Sequence, residues 1–126
     1  MNEKVLLFGI ADKEIISKIQ LVMTIQKIGV KVVQPQDYSQ SMGFLAGIPG
    51  FTQGLPYAGN ETVGPMMVLC LAPSRLDKVL AALRQAGLPP IPKAVLTQTN
   101  AQWTAVDLYK ELLREQEEIR KAKAQQ

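Results

Sequence analysis

The sequence of 126 residues contains no histidine. It therefore lacks the side chain that most often acts as a general base and as a metal ligand. Cys70 is its single cysteine, so no disulfide can form within the chain, and a zinc site would need more than one cysteine. Because Cys70 lies in the middle of an apolar run, we expect a packing group rather than a nucleophile. We predict no metal site, no cofactor and no catalytic residue.

Long hydrophobic segments and signal-peptide features are also missing. No apolar run approaches the roughly 20 residues that span a bilayer. The N-terminal residues lack the basic start and the cleavage region of a signal peptide. We therefore expect a cytoplasmic protein without a membrane partner. The net charge is only +3, and glutamates precede the basic residues near the C-terminus, so we do not expect a nucleic-acid partner.

The chain length and an apolar content of 47% predict one globular domain over residues 1–126. Its first half reads strand–helix–strand: KVLLFGI, a helix with Asp12 as its N-cap and Gly29 as its stop, then VKVVQP. The second half repeats this order with PMMVLCLA, a helix capped by Ser74 and ended by Gly87, and KAVLTQT.

A third helix is predicted from about Asn100, with Asn100 or Thr104 as its N-cap and Trp103 in its first turn. Its end, at about 119–126, is predicted to fray. This order favours an α+β fold, a ferredoxin-like split βαβ repeat (βαβ–loop–βαβ) with four antiparallel strands and a C-terminal helix. The alternative is a small parallel α/β sheet. The two continuous apolar strands should be central and the two mixed strands should lie at the edges.

Residues 35–65, hereafter the lobe, join the two halves and show no convincing strand. The stretch MGFLAGIPGFTQGLPYAG at 42–59 has five glycines and no charge, yet it carries many large apolar side chains. Such a segment is not expected to be disordered. It contains neither a dinucleotide fingerprint nor a phosphate loop. We expect a short helix after an Asp37 cap, and three roles are open: core packing, a lid over a ligand, or an interface with a second copy or a protein partner.

The stretch TQTNAQWT, which precedes the last helix, has two interpretations. It could form a helix cap with a core-sealing tryptophan, or a polar pocket for a small molecule such as an anion. Two functions remain open. The first is a non-catalytic ligand- or protein-binding module, and the alternative is a small enzyme that uses polar groups of the lobe and this turn. The candidate ligand-binding side chains are Asp37, Tyr38, Gln40, Thr97, Thr99, Asn100 and Trp103. The enzyme would use the same side chains except Trp103.

Several motifs resemble one known family. They are Q-x-x-D-Y-x-Q and L-A-G in the lobe, the M-V-L strand, L-x-x-L-R-x-A-G at a helix end, and K-A-V-L-T-x-T-N-x-x-W-T before the last helix. Together they resemble a family of short bacterial proteins catalogued as domain of unknown function 3783. The resemblance implies a bacterial, cytoplasmic protein and brings no activity with it. It also implies that the lobe and the TQTN–Trp turn belong to one shared design.

Overall fold

A computed structural model describes residues 3–125. Within these residues the chain forms one four-stranded sheet with four α-helices, and two 3-10 turns cover Pro35–Asp37 and Asn100–Gln102. The elements, in chain order, are β1 Lys4–Phe8, α1 Lys13–Ile25, β2 Gly29–Val33, α2 Met42–Ala46, β3 Met66–Cys70, α3 Pro73–Gln85, β4 Lys93–Val95 and α4 Ala105–Ala124. The predicted α+β class and the order βαβ–loop–βαβ plus a C-terminal helix are confirmed. No helix in this part of the chain is long and apolar enough to cross a membrane.

The strand order in the sheet is β2-β1-β3-β4. The two apolar strands are central and the mixed strands are at the edges, as predicted. The pairing differs from the ferredoxin-like expectation, because β1 and β2 are parallel, β3 and β4 are parallel, and only β1 and β3 are antiparallel. In each βαβ unit the helix brings the second strand back beside the first, so the two strands of a unit are direct neighbours in the sheet. The wholly parallel alternative is also excluded by the β1–β3 pair.

Both faces of the sheet are covered. Alternate side chains of β1 and β3 pack against α1 and α3 on one face, namely Val5, Leu7, Met67 and Leu69. The other alternate set packs against the lobe and α4, namely Leu6, Phe8, Val68 and Cys70. Burial on two faces explains why both central strands are continuously apolar.

The end of α1 is set by burial rather than by glycine. Asp12 caps the helix as predicted, but Gly29 does not end it, because the left-handed residue is Lys27 with φ 61°. The amide of Ile28 donates to the Met23 carbonyl at 2.8 Å, and the Ile28 side chain is buried. Reversing the chain at Lys27 therefore places Ile28 in the core.

The start of α3 also differs from its prediction. The helix begins at Pro73, and Ser74 lies inside the first turn rather than at the cap. Ala72 is the N-cap residue, and its amide donates to Glu3 Oε2 at 2.8 Å. Proline suits the first helical position because its missing N–H has no partner to lose there. The predicted stop is confirmed, since Gly87 has φ +71°.

Of the remaining predicted helix caps, one differs in the structure and one is among the predicted alternatives. Ser41 rather than Asp37 caps α2, since its hydroxyl accepts from the Phe44 amide at 3.1 Å. Thr104 caps α4, as one of the two alternatives predicted. Trp103 precedes this cap in an extended conformation instead of lying in the first turn. The helix continues through Ala124, and residue 126 lies outside the described residues.

We predict that Gly9→Ala is much more destabilising than Gly87→Ala. The two glycines have similar angles, φ +66° and φ +71°, so both substitutions carry the strain of a left-handed residue, about 1–2 kcal/mol. A Cβ at Gly9 would also lie 2.1 Å from the Val63 carbonyl oxygen, whereas one at Gly87 meets nothing within 4 Å. Urea unfolding should show an additional loss for Gly9→Ala of about 2 kcal/mol or more. Equal losses would contradict the close approach of Gly9 to the lobe.

Candidate functional site

Gln40 holds the irregular part of the lobe in place. Its side chain is only 2% exposed. Its Oε1 accepts from the Gly54 amide at 2.6 Å, and its Nε2 donates to the Gly54 carbonyl at 3.2 Å. The Ser39 hydroxyl donates to the Leu55 carbonyl at 2.6 Å. These bonds satisfy main-chain groups in a segment that has no strand or helix partner of its own.

The apolar side chains of the lobe mostly face the core. Phe51 lies directly on α2, because a Cβ at Gly43 would be 2.5 Å from its ring. Tyr57 contacts Tyr38 with ring centroids 6.2 Å apart. Leu55 is the exception and is 85% exposed. The lobe therefore acts as a packed layer over the sheet, which is one of the three predicted roles.

An apolar pocket of about 290 Å³ opens where the lobe meets the ends of β3 and β4. We call it the lobe pocket. Its position, outside the carboxyl ends of a parallel strand pair, is the place where open α/β sheets commonly bind ligands. It is lined by Ile48, Phe51, Cys70, Leu71, Leu96, Thr97, Gln98 and Ala101.

Cys70 contributes a neutral thiol to this pocket. Burial raises the pKa of the Cys70 thiol to about 11, and the positive charge of Lys4 offsets only part of this shift. The thiol is therefore protonated at neutral pH and is a poor nucleophile. This agrees with the prediction that Cys70 is a packing group.

Asn100 organises the turn that follows β4. Its Oδ1 accepts from the Thr97 amide at 2.8 Å, and its Nδ2 donates to the Val95 carbonyl at 3.0 Å. Its own amide donates to Thr97 Oγ1 at 3.1 Å. The amides of Ala101 and Trp103 donate to carbonyls of the same turn. These amides of the turn are thus already bonded and are not free to bind an anion.

A second cavity, of about 320 Å³, lies between the outer edge of β4 and helix α4. We call it the edge cleft. Its walls include all three residues of β4, the indole of Trp103 and two carboxylates, Glu111 and Glu115. The carboxylates disfavour an anion and favour a cationic group in this cleft.

The structure brings together four of the seven predicted site residues. Thr97, Thr99, Asn100 and Trp103 all line the edge cleft. The other three lie elsewhere: Tyr38 lines a different cavity at the ends of β1 and β2, Gln40 holds the lobe, and Asp37 is half-buried in a 3-10 turn. Burial also raises the pKa of the Tyr38 hydroxyl. That these side chains bind a ligand stays a prediction.

The sequence did not identify the apolar lining of the lobe pocket. Its members Ile48, Phe51, Leu96 and Ala101 belong to three different segments, and each alone looks like a core residue. The signal that could have found the pocket is the accumulation of apolar side chains in an uncharged, irregular lobe.

Comparison with known proteins bears on the second half of the chain. Residues 65–119 match the model of the family described as Domain of unknown function (DUF3783). Over these residues, which are less than half of the chain, the sequence is similar to this family. The predicted resemblance is confirmed for β3, α3, β4 and most of α4, whereas the lobe pieces of the motif lie outside the match. No curated protein and no solved structure matches the chain.

The DUF3783 match contains every residue that lines the edge cleft, from Lys93 to Glu115. It contains the lobe pocket only in part, because Ile48 and Phe51 come from the preceding lobe. The complete pocket therefore needs both segments of the chain.

We predict that Gln40→Ala loosens the lobe. Removing this amide leaves the Gly54 N–H and carbonyl without their partner, at a cost of about 1–3 kcal/mol. Hydrogen exchange of the Gly54 amide should accelerate far more than exchange in β1. Gln53→Ala, at an exposed neighbouring position, is the control and should leave both rates unchanged. Unaltered exchange at Gly54 in Gln40→Ala would contradict the anchoring role.

The raised pKa of Cys70 predicts a specific pH dependence. The folded state keeps the thiol protonated up to about pH 11, whereas the unfolded chain loses this proton near its ordinary value of 9.0. Stability from this group is therefore present below about pH 9 and falls as pH rises toward 11. The unfolding free energy of the native protein, minus that of Cys70→Ala, should decrease over this interval. A constant difference would show that the thiol titrates alike in both states.

Proposed function

We propose that this protein is a non-catalytic binding module that takes a small, mostly apolar molecule into the lobe pocket. The observation that carries the proposal is the pocket itself: an apolar cavity at the carboxyl ends of β3 and β4, walled on one side by Ile48 and Phe51 of the lobe. Ligand pockets are typically concave and apolar, with a few polar groups that fix orientation.

The lining indicates the chemistry of the ligand. Thr97 and Gln98 are the polar residues of the pocket, and both are exposed. The other lining residues offer aliphatic, aromatic and neutral thiol surface. A small molecule with an apolar body and one polar group near Thr97 and Gln98 would bury its apolar part and keep its polar group hydrated or hydrogen-bonded.

The position of Phe51 supports a shaped pocket rather than a packing gap. Gly43 is buried in α2, and its missing Cβ lets the Phe51 ring lie against the helix backbone. A larger residue at 43 would displace this ring, which lines the pocket. The pocket volume is thus determined by a glycine in one element and an aromatic ring in another.

The alternative function, an enzyme built from polar side chains, required Asp37 or Tyr38 to share a cleft with Thr99 and Asn100. Tyr38 lines the cavity at the ends of β1 and β2, and Thr99 and Asn100 line the edge cleft. This separation favours the binding module. We also propose that the protein is located in a bacterial cytoplasm, and this part of the proposal rests on the family resemblance.

A contact between lobes of two copies is a second candidate, and one observation favours it. Leu55 is 85% exposed while its main chain is held by Ser39 and Gln40. A large apolar side chain on a fixed backbone is suited to insertion into a partner surface.

Native mass spectrometry of untagged protein tests both candidates in one experiment. Added mass that disappears on denaturation would support the ligand, and a dimer without added mass would support contact through the lobe. A monomer without added mass would leave neither candidate supported in the purified protein, and a fluorescent apolar probe, 1-anilinonaphthalene-8-sulfonate, then decides whether the pocket accepts a ligand.

For the probe we predict binding to the native protein and at least tenfold weaker binding to Ala101→Leu, because the added side chain fills the pocket. The control is Ala81→Leu on α3, which does not line the lobe pocket and should bind the probe as the native protein does. Equal probe binding by the native protein and Ala101→Leu would refute the pocket as the site. The unfolding midpoint of each variant shows whether its fold is intact.

A further inference from the structure

Among the described residues, the outer edge of β4 leaves three main-chain groups without a protein partner. The Met67 amide donates to the Pro92 carbonyl at 2.9 Å, and the Leu96 amide donates to the Leu69 carbonyl at 3.0 Å. Every second residue of a parallel strand bonds to the same neighbour. Residues 92, 94 and 96 therefore face β3, and the amides and carbonyls of Lys93 and Val95 face outward.

Side chains of the same segment cover the two ends of this edge. The Lys93 ammonium donates to the Ile91 carbonyl at 3.0 Å. At the other end, the side-chain amide of Asn100 accepts from the Thr97 N–H and donates to the Val95 carbonyl. One residue of an added strand would make the same two bonds. Among residues 3–125, this leaves the Lys93 N–H, the Lys93 carbonyl and the Val95 N–H available.

A cleft lies on each face of the sheet beside this edge. The edge cleft, on the α4 side, presents Glu111 and Glu115. The cleft on the α3 side, of about 340 Å³, is mostly apolar and includes Leu80, Leu88 and Ile91. Side chains of an extended strand alternate between the two faces of a sheet. A strand added to β4 would therefore direct one set of side chains into each cleft.

The charges of the edge cleft indicate what the second set should be. Glu115 forms no ion pair with any residue between 3 and 125, while Glu111 pairs with Arg114. Lys93 also lines the cleft, but its ammonium donates to the Ile91 carbonyl. The whole chain carries a net charge of +3, so a basic segment is not attracted to its surface in general. Local attraction would come from these carboxylates.

From these observations we infer that the edge of β4 binds an extended segment of a partner protein by strand addition, and that this segment alternates apolar and basic residues. Its apolar side chains enter the cleft beside α3, and its basic side chains reach Glu111 and Glu115. Its main chain bonds to Lys93 and Val95. This is a known mode of peptide recognition, in which main-chain bonds provide affinity and alternate pockets provide specificity. It uses a site other than the lobe pocket.

The test uses the full chain and a short fluorescent peptide of alternating valine and lysine, with blocked ends. Binding is followed by anisotropy of the peptide and by fluorescence of Trp103, which is the single tryptophan and lines the edge cleft. We expect saturable binding, and slower hydrogen exchange of the Lys93 and Val95 amides in the complex. Absence of binding at millimolar peptide, or unaltered exchange at both amides, would overturn the proposal.

Two variants separate the main-chain bonds from the charges. Val95→Pro removes an N–H that the fold itself does not use, and proline is tolerated at the outward-facing positions of edge strands. We expect about tenfold weaker binding with an unchanged unfolding midpoint. Glu115→Lys should weaken binding to a similar degree. Glu117→Lys is the control and should not, because Glu117 lies on the same helix, outside the cleft, and pairs with Arg120 rather than with Arg114. Retained binding in Val95→Pro would overturn strand addition.

Two further outcomes concern the partner. A peptide of alternating valine and glutamate should bind at least tenfold more weakly, and equal binding would overturn the preference for basic residues. The chain itself carries the alternation Val30, Lys31 and Val32 on its other edge strand, β2. Concentration-dependent self-association that Lys31→Glu abolishes would identify a second copy as the occupant and overturn the proposal of a separate partner.

Discussion

The structure depends on two strands whose side chains are apolar on both faces. β1 and β3 are buried on both sides, and such strands are stable only when a layer covers each face of the sheet. The helices α1 and α3 form one layer in the usual way for βαβ units. The second layer comes from α4 and from the lobe, most of which lacks regular structure. Main-chain groups of an irregular segment cannot pair with each other as in a helix, so Gln40 provides their hydrogen bonds.

The antiparallel arrangement of the two βαβ units determines where sites can form. The carboxyl ends of β1 and β2 lie at one end of the strands, and those of β3 and β4 lie at the opposite end. Each pair has its own cavity, one lined by Tyr38 and the other by Thr97. Polar residues of the lobe and of the TQTN turn are therefore distributed over separate sites, although the sequence suggested a common one.

Sequence reasoning succeeded where a local pattern is sufficient. Continuous apolar runs identified the central strands, and the side chain of Asp12 identified the start of α1. Thr104 was one of two candidates for the cap of α4. Strand pairing was not predictable, since the same apolar runs suit parallel and antiparallel neighbours. The end of α1 was missed because it depends on the burial of Ile28. The lobe pocket was missed because it depends on a contact between Gly43 and Phe51, which no periodic pattern reports.

The turn after β4 connects the two proposed sites. Thr97 lines both the lobe pocket and the edge cleft, and its amide bonds to the Asn100 side chain. Asn100 in turn occupies one end of the exposed strand edge. An exposed edge invites unwanted pairing, and proteins usually protect it with charges, short strands or side-chain caps. Here the Asn100 side chain covers one end of the edge, and the main chain from Lys93 to Val95 stays open to an added strand. Because the same few residues shape both sites, a change in the turn would alter the pocket and the edge together.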